Sequence, residues 1–289
     1  MLTGGDMDKG TVGIVGAGAM GRGIAQVSAA VGYDVILNDM TVELVDRSVD
    51  RLAKDLGRLV EKGKMETGQR DELLSRVRKS TDLADMAQAD IVVEAVYEDI
   101  EAKKSVFTAL DRHCREDVVL GSNSSSLSIL DLAMATKRPE KVVGIHFFNP
   151  VPLMKGVELV CTIVTSFQTL ESARQFSVSL GKETWVAKDA PGFLSTRLLI
   201  PYLFDAMRLL ESGFASKEDI DTCCVLSFNY PMGPLTLADL IGLDVLLNIG
   251  NGMYASFKDP KFAAPVLLEK MVTAGQLGRK AGKGFYDHS

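Results

Sequence analysis

Cysteine, histidine and long apolar runs are all scarce in this 289-residue chain, and each scarcity excludes something. The four cysteines, Cys114, Cys161, Cys223 and Cys224, form no C-x-x-C pair and no metal-ligand spacing. A disulfide framework and a thiolate-bound metal are therefore not expected, and a reduced, cytoplasmic setting fits best. No apolar run approaches the length of a membrane span, and no signal-peptide core follows the N-terminus, so no membrane partner is expected. Net charge is -6, which argues against a nucleic-acid-binding face while leaving room for a local basic patch. Of three histidines, His113 lies on a polar helical stretch and His288 at the ragged C-terminus. Only His146 leaves a buried β-run, Val142-Val-Gly-Ile-His-Phe-Phe148, beside an Asn149-Pro150 turn and shortly before an apolar-flanked Glu158. Imidazole titrates near neutrality, and a carboxylate on one nitrogen selects the tautomer that faces a substrate. The alternative for this pair is a core histidine satisfied by a structural carboxylate.

Hydrophobic residues make up 46% of the chain and charged residues 24%, an ordinary globular composition with length for two domains. The polar, glycine-rich opening residues, 1–9, read as a flexible leader. Thr11–Val15 is a β-branched run flowing into Gly16-Ala-Gly-Ala-Met-Gly21, a helical pattern follows, and the strand Asp34–Asn38 ends at Asp39. In this G-x-G-x-x-G turn Gly16 permits the sharp bend, Gly18 lets a pyrophosphate approach, and Gly21 allows close helix packing. Ala19 and Met20 open the helix whose N-terminal N–H groups face the phosphates. Asp39 is placed for a ribose 2′-hydroxyl and favours NAD over NADP.

Alternation continues through an amphipathic helix over Val45–Leu59, ending near Gly63, and strands at 91–96, 118–122, 142–148 and 157–161. A helix follows at about 169–180, then a last strand at 183–186. The pattern predicts an α/β fold: a mainly parallel, Rossmann-type sheet covered by helices on both faces, over residues 1–188. Ligands gather at the carboxyl ends of such strands, which aligns Gly16–Gly21, Asp39, Glu98, Asn123–Ser125 and His146–Asn149 along one edge. From 189 to 289 the periodicity is helical, with Pro201 expected to kink a helix over 193–210 and further helices at 217–226, 235–241, 244–257 and 264–274. This all-α domain carries more apolar residues than a private core needs, suggesting a homodimer; a two-domain monomer is the alternative.

Taken together these residues resemble the short-chain L-3-hydroxyacyl-CoA dehydrogenase family, in particular its bacterial 3-hydroxybutyryl-CoA dehydrogenase branch. The resemblance runs from Thr11 to Asp287. It rests on Ser122-Asn-Ser-Ser-Ser-Leu127, Gly144-Ile-His-Phe-Phe-Asn-Pro150, Met154-Lys-Gly-Val-Glu-Leu-Val160, Pro191-Gly-Phe193, Tyr230-Pro-Met-Gly-Pro234 and Gly278-Arg-Lys-Ala-Gly-Lys-Gly-Phe-Tyr286. It implies an NAD cofactor and an acyl-CoA substrate, with His146 as acid–base, Glu158 holding the imidazole, Ser125 bonding the reacting oxygen and Asn149 orienting substrate and nicotinamide. Glu98 and Lys103, on the loop after Val96, would meet the nicotinamide-side ribose, and Asn123 belongs to the same cofactor edge. Lys62, with Lys54 second, would meet the 3′-phosphate of coenzyme A; solvated lysines are the plain alternative. The sequence departs from the family at Thr196, where asparagine is usual, which implies a weakened or altered substrate grip. Two other readings stay open: a dehydrogenase for a free hydroxy acid or sugar acid, and a non-catalytic NAD(H)-binding protein.

Overall fold

A computed structural model describes residues 9–288, so the expected leader falls almost wholly outside the described residues. The chain divides into two compact units, one ending at Asp189 and the other beginning at Ala190. In the first, β1 (Thr11–Val15), α1 (Ala19–Ala30) and β2 (Asp34–Asn38) form the opening βαβ unit. Then come α2 (Val42–Glu61), α3 (Thr67–Ser75), β3 (Val77–Ser80), β4 (Ile91–Glu94), α4 (Ile100–His113), β5 (Val119–Ser122) and α5 (Ile129–Ala133). The unit closes with β6 (Val142–Phe147), β7 (Gly156–Cys161), α6 (Phe167–Ser179) and β8 (Glu183–Lys188).

The eight strands run in the order β3-β2-β1-β4-β5-β6-β7-β8. All neighbouring pairs are parallel except β6 and β7. The link 148–155 is too short for the crossover that a parallel neighbour needs, so the chain turns back. The central strands are buried on both faces, which is why β1, β4 and β6 read as unbroken apolar runs. Helix α2 is amphipathic, burying Val45, Leu52 and Leu56, and Thr41 caps its first turn by accepting from Leu44 N–H at 3.4 Å.

Two elements left no readable pattern. β3 is a short edge strand whose central residues, Arg78 and Lys79, are exposed, and charge is what protects a sheet edge. α3 buries only Leu73, so no apolar stripe marks it; its start is set by a capping box between Glu66 and Gln69.

The second unit is helical: α7 (Ser195–Glu211), α8 (Lys217–Phe228), α9 (Pro234–Ile241), α10 (Leu243–Phe257) and α11 (Val266–Thr273). Helix α7 continues through Pro201. Leu203, Phe204, Leu235, Leu246 and Phe262 form its core. Asp239, 1% exposed, accepts the N–H groups of Phe285 and Tyr286, both at 2.9 Å, and His288 at 2.8 Å, fastening the C-terminal segment. No single described helix is long and apolar enough to cross a membrane.

Candidate active site

The glycine loop sits between β1 and α1, at the point where strand order reverses between β1 and β4. Gly16 has φ +105°, and a Cβ there would lie 2.5 Å from the Ala95 carbonyl oxygen. A Cβ on Gly21 would lie 1.8 Å from the Gly16 carbonyl oxygen, so the first helical turn can close on the loop only with glycine there. At Gly18 a Cβ would meet nothing within 4 Å, and no side chain caps the start of α1. The first N–H groups of α1, from Ala19 and Met20 onward, therefore lie below open space, the arrangement a pyrophosphate needs. Asp39 is fixed beside them, its two carboxylate oxygens accepting Ala17 N–H and Met40 N–H, each at 2.7 Å. A cavity of about 340 Å³, lined by Val15, Met40, Leu83, Val96 and Val106 with Asp39 at its border, has the apolar walls a flat adenine ring requires. These residues fit a dinucleotide: a slot for the base, an acid for its ribose and a helix start for its phosphates.

Behind the strand ends Lys103 and Glu98 join Glu94 in a buried polar cluster. Glu94, fully buried at the end of β4, accepts Lys103 Nζ at 2.6 Å, Ser122 Oγ at 2.7 Å and Val96 N–H at 2.7 Å. Burial pushes its carboxyl above the ordinary value despite the opposing pull of Lys103 and these hydrogen bonds. Lys103 lies not on the loop but within α4, 1% exposed, and it also reaches Glu98 at 3.3 Å. Glu98 gathers the serine loop: it accepts from Ser124 Oγ, from Ser125 N–H at 2.9 Å and from Ser126 N–H at 3.3 Å. Ser125 Oγ is 3.4 Å from the same oxygen. Burial opposes ionisation of Glu98, but Lys103 and the serine donors outweigh it and hold the carboxyl below its ordinary value. Asn123 turns inward, accepting Phe147 N–H at 2.9 Å through its side-chain oxygen, and so ties the end of β5 to the end of β6.

That tie adjoins His146. Antiparallel pairing of β6 with β7 sets His146 directly opposite Glu158. Their side chains meet at 3.0 Å through Nδ1 and Oε2, with side-chain exposures of 8% and 0%. A neutral imidazole donating from Nδ1 to the carboxylate carries its basic lone pair on Nε2. Phe148 lies against the imidazole, ring centroids 4.5 Å apart, and stacks on Trp185 at 5.7 Å. Asn149 is exposed on the next turn, before a cis bond to Pro150. Buried Lys182 donates to the carbonyls of Val151 at 2.6 Å and Met154 at 2.7 Å, clamping that turn.

The strand ends thus bring Asp39, Glu98, Asn123, Ser125, His146 and Asn149 to one edge of the sheet. Lys54 and Lys62 stand apart on the exposed side and end of α2, and neither is ion-paired among the described residues. Thr196 belongs to the helical unit, in the first turn of α7.

Residues 11–190 match the 3-hydroxyacyl-CoA dehydrogenase NAD binding domain, and residues 192–288 match the C-terminal domain of the same family. The chain belongs to the 3-hydroxyacyl-CoA dehydrogenase family. It is 46% identical over 276 residues to the 3-hydroxybutyryl-CoA dehydrogenase of Clostridioides difficile, covering 96% of this chain and 98% of that one. It is 42% identical over 282 residues to human mitochondrial hydroxyacyl-coenzyme A dehydrogenase, covering 95% and 90%. The crystal structure of (S)-3-hydroxybutyryl-CoA dehydrogenase from Ralstonia eutropha superposes with a TM-score of 0.93 at 42% identity, covering 96% and 99%. As a 3-hydroxyacyl-CoA dehydrogenase the chain is an NAD-dependent enzyme, and its β-sheet unit is the NAD-binding domain.

Sequence reasoning missed Glu94, Ser122, Ser124 and Lys182. A carboxylate closing the apolar run Ile91-Val-Val-Glu94 was the one available signal for the cluster, since a buried charge demands a partner. Nothing near Lys182 distinguishes it from a surface lysine.

Proposed function

We propose that this dehydrogenase interconverts (S)-3-hydroxyacyl-CoA and 3-oxoacyl-CoA, with 3-hydroxybutyryl-CoA and acetoacetyl-CoA as its pair. The observation that carries the mechanism is the buried His146–Glu158 contact at the strand edge that also holds the NAD loop. In oxidation, His146 Nε2 takes the proton of the substrate's 3-hydroxyl. Glu158 keeps Nδ1 protonated and stabilises the imidazolium that results. NAD, which the Gly16–Gly21 loop and Asp39 would hold, would supply the redox chemistry as the hydride acceptor. Ser125, on the loop gathered by Glu98, donates to the reacting oxygen, and Asn149 orients the substrate beside it. In reduction the roles reverse, and His146 returns its proton to the forming hydroxyl.

The rest of the reading follows from exposure. Lys62 and Lys54 are solvent-facing cations on α2 while Asp55 engages Arg51 and Arg58, which supports the lysines as contacts for the 3′-phosphate of coenzyme A. Thr196, in the first turn of α7, is a substrate-contacting residue in this reading. The helical unit forms a homodimer: Phe214 and Leu226 are each 79% exposed and Leu198 67%, an apolar surplus that a second copy would cover. The free thiols fit a cytoplasmic enzyme. The test is NADH oxidation at 340 nm with acetoacetyl-CoA and, separately, with acetoacetate. Turnover of the thioester alone is expected; equal turnover of the free acid, or none with any acyl-CoA, contradicts the assignment.

A further inference from the structure

The chain has one tryptophan, Trp185, and it stands in the row of side chains that holds His146. Strand register sets His146 opposite Glu158 and Glu158 opposite Trp185, so the three share one face of β6, β7 and β8. Helix α6 serves the other face, where Val157, Leu159, Ala173 and Phe176 share a core. Gly156 lies two residues before Glu158 and on the same face of β7. A Cβ there would lie 2.6 Å from Cζ3 and 2.7 Å from Cη2 of Trp185, so the six-membered ring of the indole fills the space above the glycine. Crossing β7 in this way, the indole stacks on Phe148, with centroids 5.7 Å apart and 27° between the planes. Phe148 in turn rests on the imidazole at 4.5 Å. Contacts therefore run from Glu158 to His146, on to Phe148 and then to Trp185, the other neighbour of Glu158 across the sheet. The carboxylate between them is 0% exposed.

We propose that Trp185 is a positioning residue for the reaction: its indole, admitted across β7 by Gly156, pins Phe148 against the His146 ring and keeps water from the Glu158 carboxylate. The inference rests on the reading of His146 as the acid–base. The hydrogen bond from Nδ1 to Glu158 fixes one end of the imidazole. An aromatic ring packed on the imidazole limits the swing that remains, and Phe148 can do this only if something holds it from behind. Dryness acts in the same direction. A carboxylate shielded from water attracts an imidazolium more strongly than a hydrated one, because the local dielectric is low. Trp185 thus acts on the reaction through the His146–Glu158 pair.

The test measures kcat and KM in acetoacetyl-CoA reduction for Trp185→Ala, Trp185→Phe and Gly156→Ala, with Trp185→Ala also made in a Glu158→Gln background. Solvent exchange of the His146 Nδ1–H proton, followed by NMR, accompanies it. Trp185→Ala should lose roughly tenfold in kcat while KM for both substrates stays within about twofold. Trp185→Phe, which keeps a ring behind Phe148, should hold kcat within about threefold of wild type. Gly156→Ala retains the indole but forces it off β7, so its kcat should fall in the same direction as that of Trp185→Ala. In the Glu158→Gln background Trp185→Ala should cost less than about twofold further, because the pair it acts through is already broken. The Nδ1–H proton should exchange roughly tenfold faster or more in Trp185→Ala than in wild type. The proposal is overturned if Trp185→Ala keeps kcat within about twofold and only its urea midpoint falls, as plain filling of the sheet face would give. It is equally overturned if the loss in kcat is the same in the Glu158→Gln background, or if exchange of the Nδ1–H proton is unchanged. Should Trp185→Ala not fold, Gly156→Ala takes its place in each comparison. If wild type turns over no acyl-CoA, the substrate assignment fails, while the exchange rate still decides the role of Trp185.

Discussion

Each unit of this molecule contains a buried carboxylate paired with a histidine, and the two pairs stand in different surroundings. Glu158 meets His146 at 3.0 Å on adjacent strands, and Asp239 meets His288 at 2.8 Å where the C-terminal segment returns to α9. Distance and burial barely separate them: the carboxylates are both fully buried, and the imidazoles are 8% and 17% exposed. Surroundings do. Asp239 also accepts two backbone N–H groups from the segment it anchors, so its histidine is one more strap on a chain end. His146 instead stands at the strand edge where the glycine loop, the serine loop and the Asn149 turn converge. A histidine–carboxylate pair is thus no signature of catalysis until its address in the fold is known.

The comparison breaks most sharply at the carboxylates. Glu158→Gln should lower kcat by roughly 10²-fold or more, because an amide neither fixes the tautomer nor stabilises imidazolium. Its steady-state assay at 340 nm checks this. Asp239→Asn should leave kcat nearly unchanged and cost about 2 kcal/mol of stability, read as a lowered urea midpoint. Thr196→Asn sharpens the contrast from the substrate side: kcat/KM for acetoacetyl-CoA should rise several-fold, roughly the worth of one hydrogen bond. An unchanged value would mean that threonine at this position does not limit the grip on substrate. The smallest effect concerns Glu98, whose carboxyl is held below its ordinary value of 4.5. A depressed acid contributes stability above that ordinary value and loses it as pH falls through the lowered one. Wild type and Glu98→Gln should therefore differ in urea midpoint at neutral pH and converge in acid below it.

Much of the nucleotide-binding unit was legible because its constraints are local. The strand–glycine loop–helix–strand–Asp39 series demands particular residues at particular spacings, and β1, α1 and β2 formed where those residues put them. Strands buried on both faces betray themselves as apolar runs, so β4 to β7 could be read, whereas β3, half charged, could not. Interactions between distant segments left less trace. Asn123 ties β5 to β6, and Lys103 is sunk between Glu94 and Glu98 instead of lying on a loop. Nothing at His288 or Asp239 in sequence foretells their meeting, because a contact across forty-nine positions is a property of the folded helices.

The most direct measurement sets His146→Ala beside His288→Ala in acetoacetyl-CoA-dependent NADH oxidation, with the urea midpoint of each variant. The first should lose about 10²–10⁴-fold in kcat while remaining folded, and the second should keep its kcat within about twofold. A loss of less than tenfold in His146→Ala, or an equal loss in His288→Ala, would contradict the assignment of the catalytic pair.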